Sequence, residues 1–329
     1  MIDLVTGGAG FVGGHVVAAL RAAGREVRVL DPVPPGPDAG ATWIEGSVLD
    51  HATVARAMDG VERVFHLAAI PDLWIRDPRA YDQVNVEGTR VVVAAALQAG
   101  VRRFVHTSSE VVLVPGAGRR TGLLDESVEL APEATIGAYA RSKRRAELVV
   151  LEAVADGLPA VLVLPTAPLG PGDHRRTPPT RMLADLLAGR LPAWLDCVFG
   201  LVDVRDAAAA HLLASEHGSV GARYLIAGHD VAMADFLRLV GRLSGRSMPR
   251  MRVPASLALA GAAAGEAVAR LGGPAPQGPL DGVRLALATP GFDGSRARTE
   301  LGFVPRPLED TVRDAIAWLR EAEASSTER

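Results

Sequence analysis

Over the first half of the chain, short apolar runs alternate with longer stretches in which apolar residues recur every three or four positions. The runs at Ile2–Thr6, 26–30, Thr42–Glu45, 61–67, 101–107 and 160–164 have the length and content of strands. The stretches at 11–23, His51–Met58, 79–99 and 136–155 carry helical periodicity. Strands separated by helices predict an α/β fold with a doubly wound parallel sheet, because each crossover lays a helix back on one face. After Pro165 the pattern changes: prolines cluster at Pro168, Pro171, Pro178 and Pro179, and helices are predicted at 180–188, 204–216, 233–243, 256–271 and 307–320. The chain is accordingly divided into a sheet domain at 1–165, whose core continues through later segments, and a smaller, mostly helical lobe at 166–322 interleaved with the sheet. A frayed tail is expected at 323–329.

Composition narrows the classes. Hydrophobic residues make up 48% of the 329 and charged residues 22%, with a net charge of −3, so neither a nucleic-acid nor a membrane-surface partner is expected. The most apolar stretch, 253–271, contains Glu266 and Arg270 and is too short and too charged for a membrane span. No leader is expected ahead of Ile2, and the expected location is cytoplasmic. The single cysteine, Cys197, forms no internal disulfide, and no metal site is expected. One count stands out: of 35 Lys and Arg residues, only Lys143 is a lysine. A site that keeps lysine against so strong an arginine preference calls for a compact ammonium, not a planar fork.

The turn after the first strand reads Thr6-Gly7-Gly8-Ala9-Gly10-Phe11-Val12-Gly13. Gly7 permits the tight turn, Gly10 allows backbone to approach a pyrophosphate, and Gly13 allows helix and strand to pack closely. The helix start attracts the anion. Strand, glycine turn, helix, strand and then an acid form a dinucleotide-binding pattern of the Rossmann type. Asp31, at the end of the second strand, is positioned to grip a ribose 2′-hydroxyl, which favours NAD over NADP. The competing reading of Asp31 is a loop cap before Pro32.

Tyr139 and Lys143 are four residues apart on a predicted helix and share a face. An ammonium beside the phenol, together with the positive ring of an oxidised nicotinamide, predicts a lowered phenol pKa suited to acid/base exchange between alcohol and carbonyl. With three tyrosines and one lysine in the chain, chance pairing is a poor explanation. Ser108 and Ser109 follow a strand, where a hydroxyl can reach the crevice at the strands' carboxyl ends.

These segments together resemble the extended short-chain dehydrogenases/reductases, the family of NAD-dependent epimerases, dehydratases and dihydroflavonol-reductase-like enzymes. The resemblance is carried by the glycine turn, Val64-Phe-His-Leu-Ala-Ala69, Asn85-Val-Glu-Gly-Thr89, His106-Thr-Ser-Ser109, Tyr139-Ala-Arg-Ser-Lys143, Pro165-Thr-Ala-Pro-Leu-Gly-Pro-Gly172, Val202-Asp-Val-Arg-Asp206 and Arg298-Thr-Glu-Leu-Gly-Phe-Val-Pro305. It implies Ser109, Tyr139 and Lys143 as catalytic residues, Lys143 also binding ribose. It implies cofactor contacts from Gly7, Gly10, Phe11, Val12, Gly13, Asp31, Ser47, Val48, Leu67, Ala68, Ala69, Ser108, Pro165 and Thr166. Asn85 joins them in a supporting network, and a homodimer through two long helices, at 79–99 and 136–155, is the family's habit. His66 and His106 read as strand residues packed near the sheet. Asp72, Trp74 and Trp194, with Ser109, are the expected substrate pocket. Asp72-Leu-Trp74, the stretch 191–197 and the C-terminal third resemble the dihydroflavonol-reductase-like and hopanoid-associated sugar epimerase branch.

Three departures bear on substrate. Ser47 stands where the family usually has an adenine-binding aspartate, Phe199 where nucleotide-sugar members carry arginine, and Leu164 where many have arginine before the proline. Each makes the pocket less suited to a sugar nucleotide. The leading expectation is an NAD-dependent oxidoreductase interconverting a secondary alcohol and a ketone on a fairly apolar small molecule. A nucleotide-sugar epimerase or dehydratase stands second, and a non-catalytic dinucleotide-binding protein third.

Overall fold

The computed structural model describes residues 2–34, 40–116 and 122–327, with side chains as far as residue 324. Part of the proline-rich loop expected after Asp31, residues 35–39, lies outside them. The first half runs β1 (Ile2–Thr6), α1 (Phe11–Ala22), β2 (Glu26–Asp31), β3 (Thr42–Glu45), α2 (His51–Met58), β4 (Val61–His66), α3 (Arg79–Tyr81), α4 (Gly88–Ala99), β5 (Arg103–Thr107), α5 (Gly137–Ala155) and β6 (Ala160–Pro165), in the predicted order. The single long helix predicted at 79–99 is interrupted by a π-helical segment, Asp82–Glu87, between α3 and α4.

The second half contains more strand than its pattern predicts: β7 (Ala167–Leu169), α6 (Pro178–Leu187), β8 (Ala193–Leu195), β9 (Val198–Asp203), α7 (Val204–His217), β10 (Arg223–Ile226), β11 (His229–Ala232), α8 (Met233–Ser244), β12 (Met251–Val253), α9 (Ala255–Arg270), α10 (Leu280–Ala288), α11 (Ser295–Leu301) and α12 (Leu308–Thr327). Strands of three to six residues, one of them holding Pro168, are too short to show a period of their own. The last helix continues past Ala322 to Thr327, where the sequence predicts a tail. Val312, Ala315, Ile316 and Leu319 bury one side of it, and a helix anchored in this way propagates beyond its last packed turn.

Seven parallel strands lie in the order β3-β2-β1-β4-β5-β6-β10. Their residues alternate between two cores. Leu4, Leu30, Val64, Phe104, Leu162 and Leu164 pack with α2, α4 and α5; Val5, Val29, Phe65, Val105, Val161 and Val163 pack with α1 and α7. Burial on both faces is why these strands read as continuous apolar runs. Chain direction across the sheet switches between β1 and β4, and ligands of such sheets bind at the carboxyl ends of the strands at that switch. A three-stranded sheet (β11-β9-β7), the pair β12-β8 and α6, α8 and α12 make the lobe, around a third core with Leu183, Phe236 and Ile316. β10 and α11 return from this half to the main sheet. Among the described residues, no helix is long and apolar enough to cross a membrane.

The glycine turn supplies a stability test. A Cβ on Gly13 would stand 2.1 Å from the Gly7 carbonyl oxygen, whereas one on exposed Gly14 would make an ordinary contact at 3.6 Å. Gly13→Ala is expected to destabilise by about 1–3 kcal/mol through overpacking. Gly14→Ala, in the same helix, is expected to be neutral or stabilising by up to about 1 kcal/mol. Thermal denaturation of the two variants checks the contrast, and equal melting temperatures would contradict it.

Candidate active site

Gly7 follows β1 in the left-handed region, at φ +76°, with its N–H donating to Leu30 O at 3.0 Å. A Cβ there would lie 2.7 Å from Ala68 N, and one on Gly10 would lie 3.1 Å from Gly7 O. The turn is therefore bare backbone between β1 and the segment after β4. The start of α1 has no side-chain cap and no acid in its first turn, so its amides and positive dipole end are open to an anion. Phe11 is buried and Val12 packs partly on the second core. These features fit the pyrophosphate of a dinucleotide. Asp31 is buried at the end of β2, where Oδ2 accepts from Ala9 N (3.0 Å) and Oδ1 from Val33 N (2.9 Å). The carboxylate thus braces the glycine turn and caps its own loop at once, and both oxygens keep lone pairs for a ribose hydroxyl. Ser47 accepts from Leu49 N through its hydroxyl, and Val48 is buried against Gly88.

Behind the turn runs a chain of buried hydrogen bonds. Ala68 N donates to Thr6 Oγ1 (3.3 Å), Thr6 Oγ1 lies 2.7 Å from His66 Nδ1, and His66 Nε2 lies 2.9 Å from Thr89 Oγ1. Thr89 donates in turn to Asn85 O at 2.6 Å, which leaves its oxygen to accept from His66. His66 therefore carries its proton on Nε2 and accepts the Thr6 hydroxyl at Nδ1. Burial first, and Lys143 second, pull this ring down to about 3, so it stays neutral. Asn85, in the π-helical segment, accepts from Ile70 N (2.8 Å) and donates to Ser142 Oγ (2.9 Å), and Ser142 donates to Tyr139 O (2.8 Å). The chain thus links the cofactor turn to the helix bearing Tyr139 and Lys143.

Lys143 is buried and donates to Thr107 O at 2.5 Å. Burial pulls its ammonium down to about 8, against an upward pull from Glu147. Thr107 also meets His211: His211 Nδ1 donates to Ala207 O (2.7 Å), so Nε2 (2.8 Å) accepts the Thr107 hydroxyl. The Tyr139 phenol is raised by the protein's own groups, first by burial and then by Glu110 and Asp72, while the Ser109 hydroxyl acts the other way. Ser109, buried at the end of β5, donates to Glu110 Oε2 at 2.6 Å. Glu110 is a site residue that the sequence reading missed, although an acid next to the candidate serine was the available signal. Ser108 Oγ is buried with no hydrogen-bond partner among the described residues, and Thr166 gives both N–H and hydroxyl to Ile226 O beside Pro165.

The fold brings Ser109, Tyr139 and Asp72 to one place, with the Tyr81 ring tilted at 51° and its centroid 6.1 Å from that of Tyr139. Asp72, Asp281 and Glu266 all act on Tyr81, Asp281 being paired with Arg284 and Glu266 with Arg270. Trp74 is half-buried. Trp194 sits with the third core and lines an open surface groove with Leu237 and Met248. Phe199 packs edge-on against Phe236 at 5.4 Å. His106 is buried in the sheet, and neither ring nitrogen has a hydrogen-bond partner among the described residues, in keeping with a packing role.

Known proteins share this architecture. Residues 4–227 match the model of the NAD-dependent epimerase/dehydratase family. Sterol demethylase protein B of Methylococcus capsulatus is 34% identical over 98% of this chain and 99% of that protein. The 4-hydroxy-2-methyl-3-oxo-4-farnesyl-3,4-dihydroquinoline-1-oxide ketoreductase of Stigmatella aurantiaca is 31% identical over 96% of each. The crystal structure of gox2253 superposes with a TM-score of 0.84 at 35% identity, covering 98% of both chains.

The hydrogen-bond chain requires neutral imidazoles. The folded values of His66 (about 3) and His211 (about 4) lie below the ~6.5 of an unfolded histidine, so the unfolded chain binds more protons on acidification. The stability these rings confer is whole above about pH 6.5 and is lost as pH falls towards the folded values. Nitrogen-15 spectra between about pH 7 and pH 5 are expected to keep His66 protonated on Nε2 and bare on Nδ1 throughout. A His66 ring that charges in that interval would break the assignment.

Proposed function

The chain belongs to the NAD-dependent epimerase/dehydratase family of oxidoreductases, and from that premise we propose that it interconverts a ketone and a secondary alcohol on a fairly apolar small molecule, using NAD. The carrying observation is that Ser109 and Tyr139 meet in a site whose neighbouring charges, Glu110 and Asp72, are acidic. Asp72, and Glu110 while it is ionised, disfavour an anionic group beside the phenol, whereas a neutral ketone meets no such cost. Phe199, held in the third core, leaves no cation at its position to answer a diphosphate. Two relatives whose names concern a sterol and a farnesylated quinoline ketone support the same substrate class.

NAD, when bound, supplies the hydride acceptor or donor. The glycine turn and the start of α1 hold its pyrophosphate, Asp31 its ribose, and Lys143 the hydroxyls near Tyr139. Tyr139 gives its proton to the ketone oxygen in reduction and takes it back in oxidation. Ser109 donates a hydrogen bond to the same oxygen as charge develops there. Asn85 and Ser142 hold the first turn of α5, so the phenol does not drift. A raised phenol pKa keeps Tyr139 protonated, which favours its role as acid.

Steady-state oxidation of NADH by lipophilic cyclic ketones tests the reading. Turnover with such ketones is expected, and Tyr139→Phe is expected to lose on the order of 10²–10⁴-fold in kcat with NADH binding retained. UDP-glucose is expected to bind weakly or not at all in calorimetry. Micromolar binding of that sugar nucleotide, without ketone turnover, would favour the epimerase reading.

Cofactor choice rests on Asp31. A 2′-phosphate would bring about −1.5 to −2 charges beside a buried carboxylate. Arg28 is engaged with Ala57 O and Asp59 O, and Arg56 with Thr53, so neither is committed to that phosphate. NADH is expected to exceed NADPH in kcat/KM for the parent, and Asp31→Ala is expected to narrow the ratio. A ratio unmoved by the substitution would discard the role of Asp31.

A further inference from the structure

Ser109 has two neighbours competing for its hydroxyl. One is the phenol of Tyr139, which the Ser109 hydroxyl pulls down against the effect of burial. The other is Glu110, whose Oε2 lies 2.6 Å from Ser109 Oγ. A serine has one proton to donate, and an ionised carboxylate only accepts. When Glu110 is ionised, the Ser109 proton is drawn to it and away from the reaction site. When Glu110 is protonated, the 2.6 Å contact reverses: Glu110 donates to Ser109 Oγ, and the serine proton is released towards the phenol and the substrate oxygen. Val111 N, 3.5 Å away, also donates to Ser109 Oγ and is compatible with either direction.

We propose that Glu110 is a positioning residue whose protonation state sets the direction of the Ser109 hydroxyl, and with it the ability of Ser109 to donate to a ketone oxygen. This rests on the ketone-reductase reading of the site.

The surroundings of Glu110 favour a switch near neutrality. Burial pushes its carboxyl up to about 7, in opposition to the Ser109 hydroxyl and the amides of Glu110 and Val111. The short 3-10 turn carrying it, Glu110–Leu113, packs on α5, from which Tyr139 is the titratable group that senses it; Asp72 acts on the same phenol. Among the described residues, no Arg or Lys side chain is hydrogen-bonded or ion-paired to Glu110. The Ser109 hydroxyl and the two amides favour the carboxylate, but no cation there adds to them. An acid at this position therefore couples the proton concentration to the donor that the reaction needs, without touching the substrate.

The test uses the whole protein, the Glu110→Gln variant and a decalone as probe ketone. In the parent, kcat/KM for NADH-dependent reduction is expected to fall roughly a hundred- to a thousandfold as pH rises through about 7, the loss of one oxyanion donor. In Glu110→Gln, whose neutral amide can donate to Ser109 at every pH, that fall is expected to vanish, leaving only the later loss from ionisation of Tyr139. A second measurement does not need turnover: ultraviolet titration of tyrosinate, with Tyr139→Phe identifying the Tyr139 component. Removing the negative charge beside the phenol is expected to lower the Tyr139 titration by about a unit in Glu110→Gln. A variant that keeps the parental fall near neutrality, or an unmoved Tyr139 titration, overturns the proposal. If the parent does not reduce the decalone, the ketone reading loses support by itself, and the tyrosinate titration decides the coupling of Glu110.

Discussion

The buried path of hydrogen bonds from Thr6 through His66, Thr89, Asn85 and Ser142 to the Tyr139 carbonyl is the constraint on which the site depends. Each member lies on a different piece of the fold: the ends of β1 and β4, the π-helical segment, the head of α4 and the first turn of α5. A hydrophobic core sets the distance between such elements but not their rotation, whereas a fully paired polar chain in a low-dielectric interior does both. Its directionality requires a neutral His66, and burial supplies that neutrality. The π-helical segment has a purpose in this light, since it brings Asn85 to both Ile70 and Ser142 from the middle of a long helix.

The electrostatics of the centre are set more by desolvation than by paired charge. Lys143 is pulled down and Tyr139 pushed up by the same burial. A phenol in that state is a proton donor first. Glu110 and Asp72 deepen the effect, and Asp281 and Glu266 act in the same direction on Tyr81.

Much of the fold was legible in the order of residues, because the strands of a sheet buried on both faces are nearly all apolar and its crossover helices keep a regular period. The glycine turn was equally legible: Gly7 needs its positive φ and Gly13 has no room for a Cβ. So was the Tyr139–Lys143 pair, placed by four-residue spacing on one helix and marked out by the scarcity of lysine. The strands of the lobe were not, since three or four residues, such as those of β7, β8 and β12, hold less than a readable repeat and depend on partners distant in the chain. Trp194 illustrates the difference: only packing shows that it lines an open groove with Leu237 and Met248.

Spacing and composition by themselves therefore determined what is local: the element order of the first half, the backbone geometry of the glycine turn, and the acid/base candidate with its lysine. Tertiary structure alone decided what depends on burial and on contacts across the chain. It joined Thr6 to Thr89 through His66, tied Asn85 to Ser142, and raised the Glu110 carboxyl and the Tyr139 phenol by burial. The physical reason is that a side chain's charge state follows the water it loses and the groups that surround it, and neither is written in the spacing of residues along one helix.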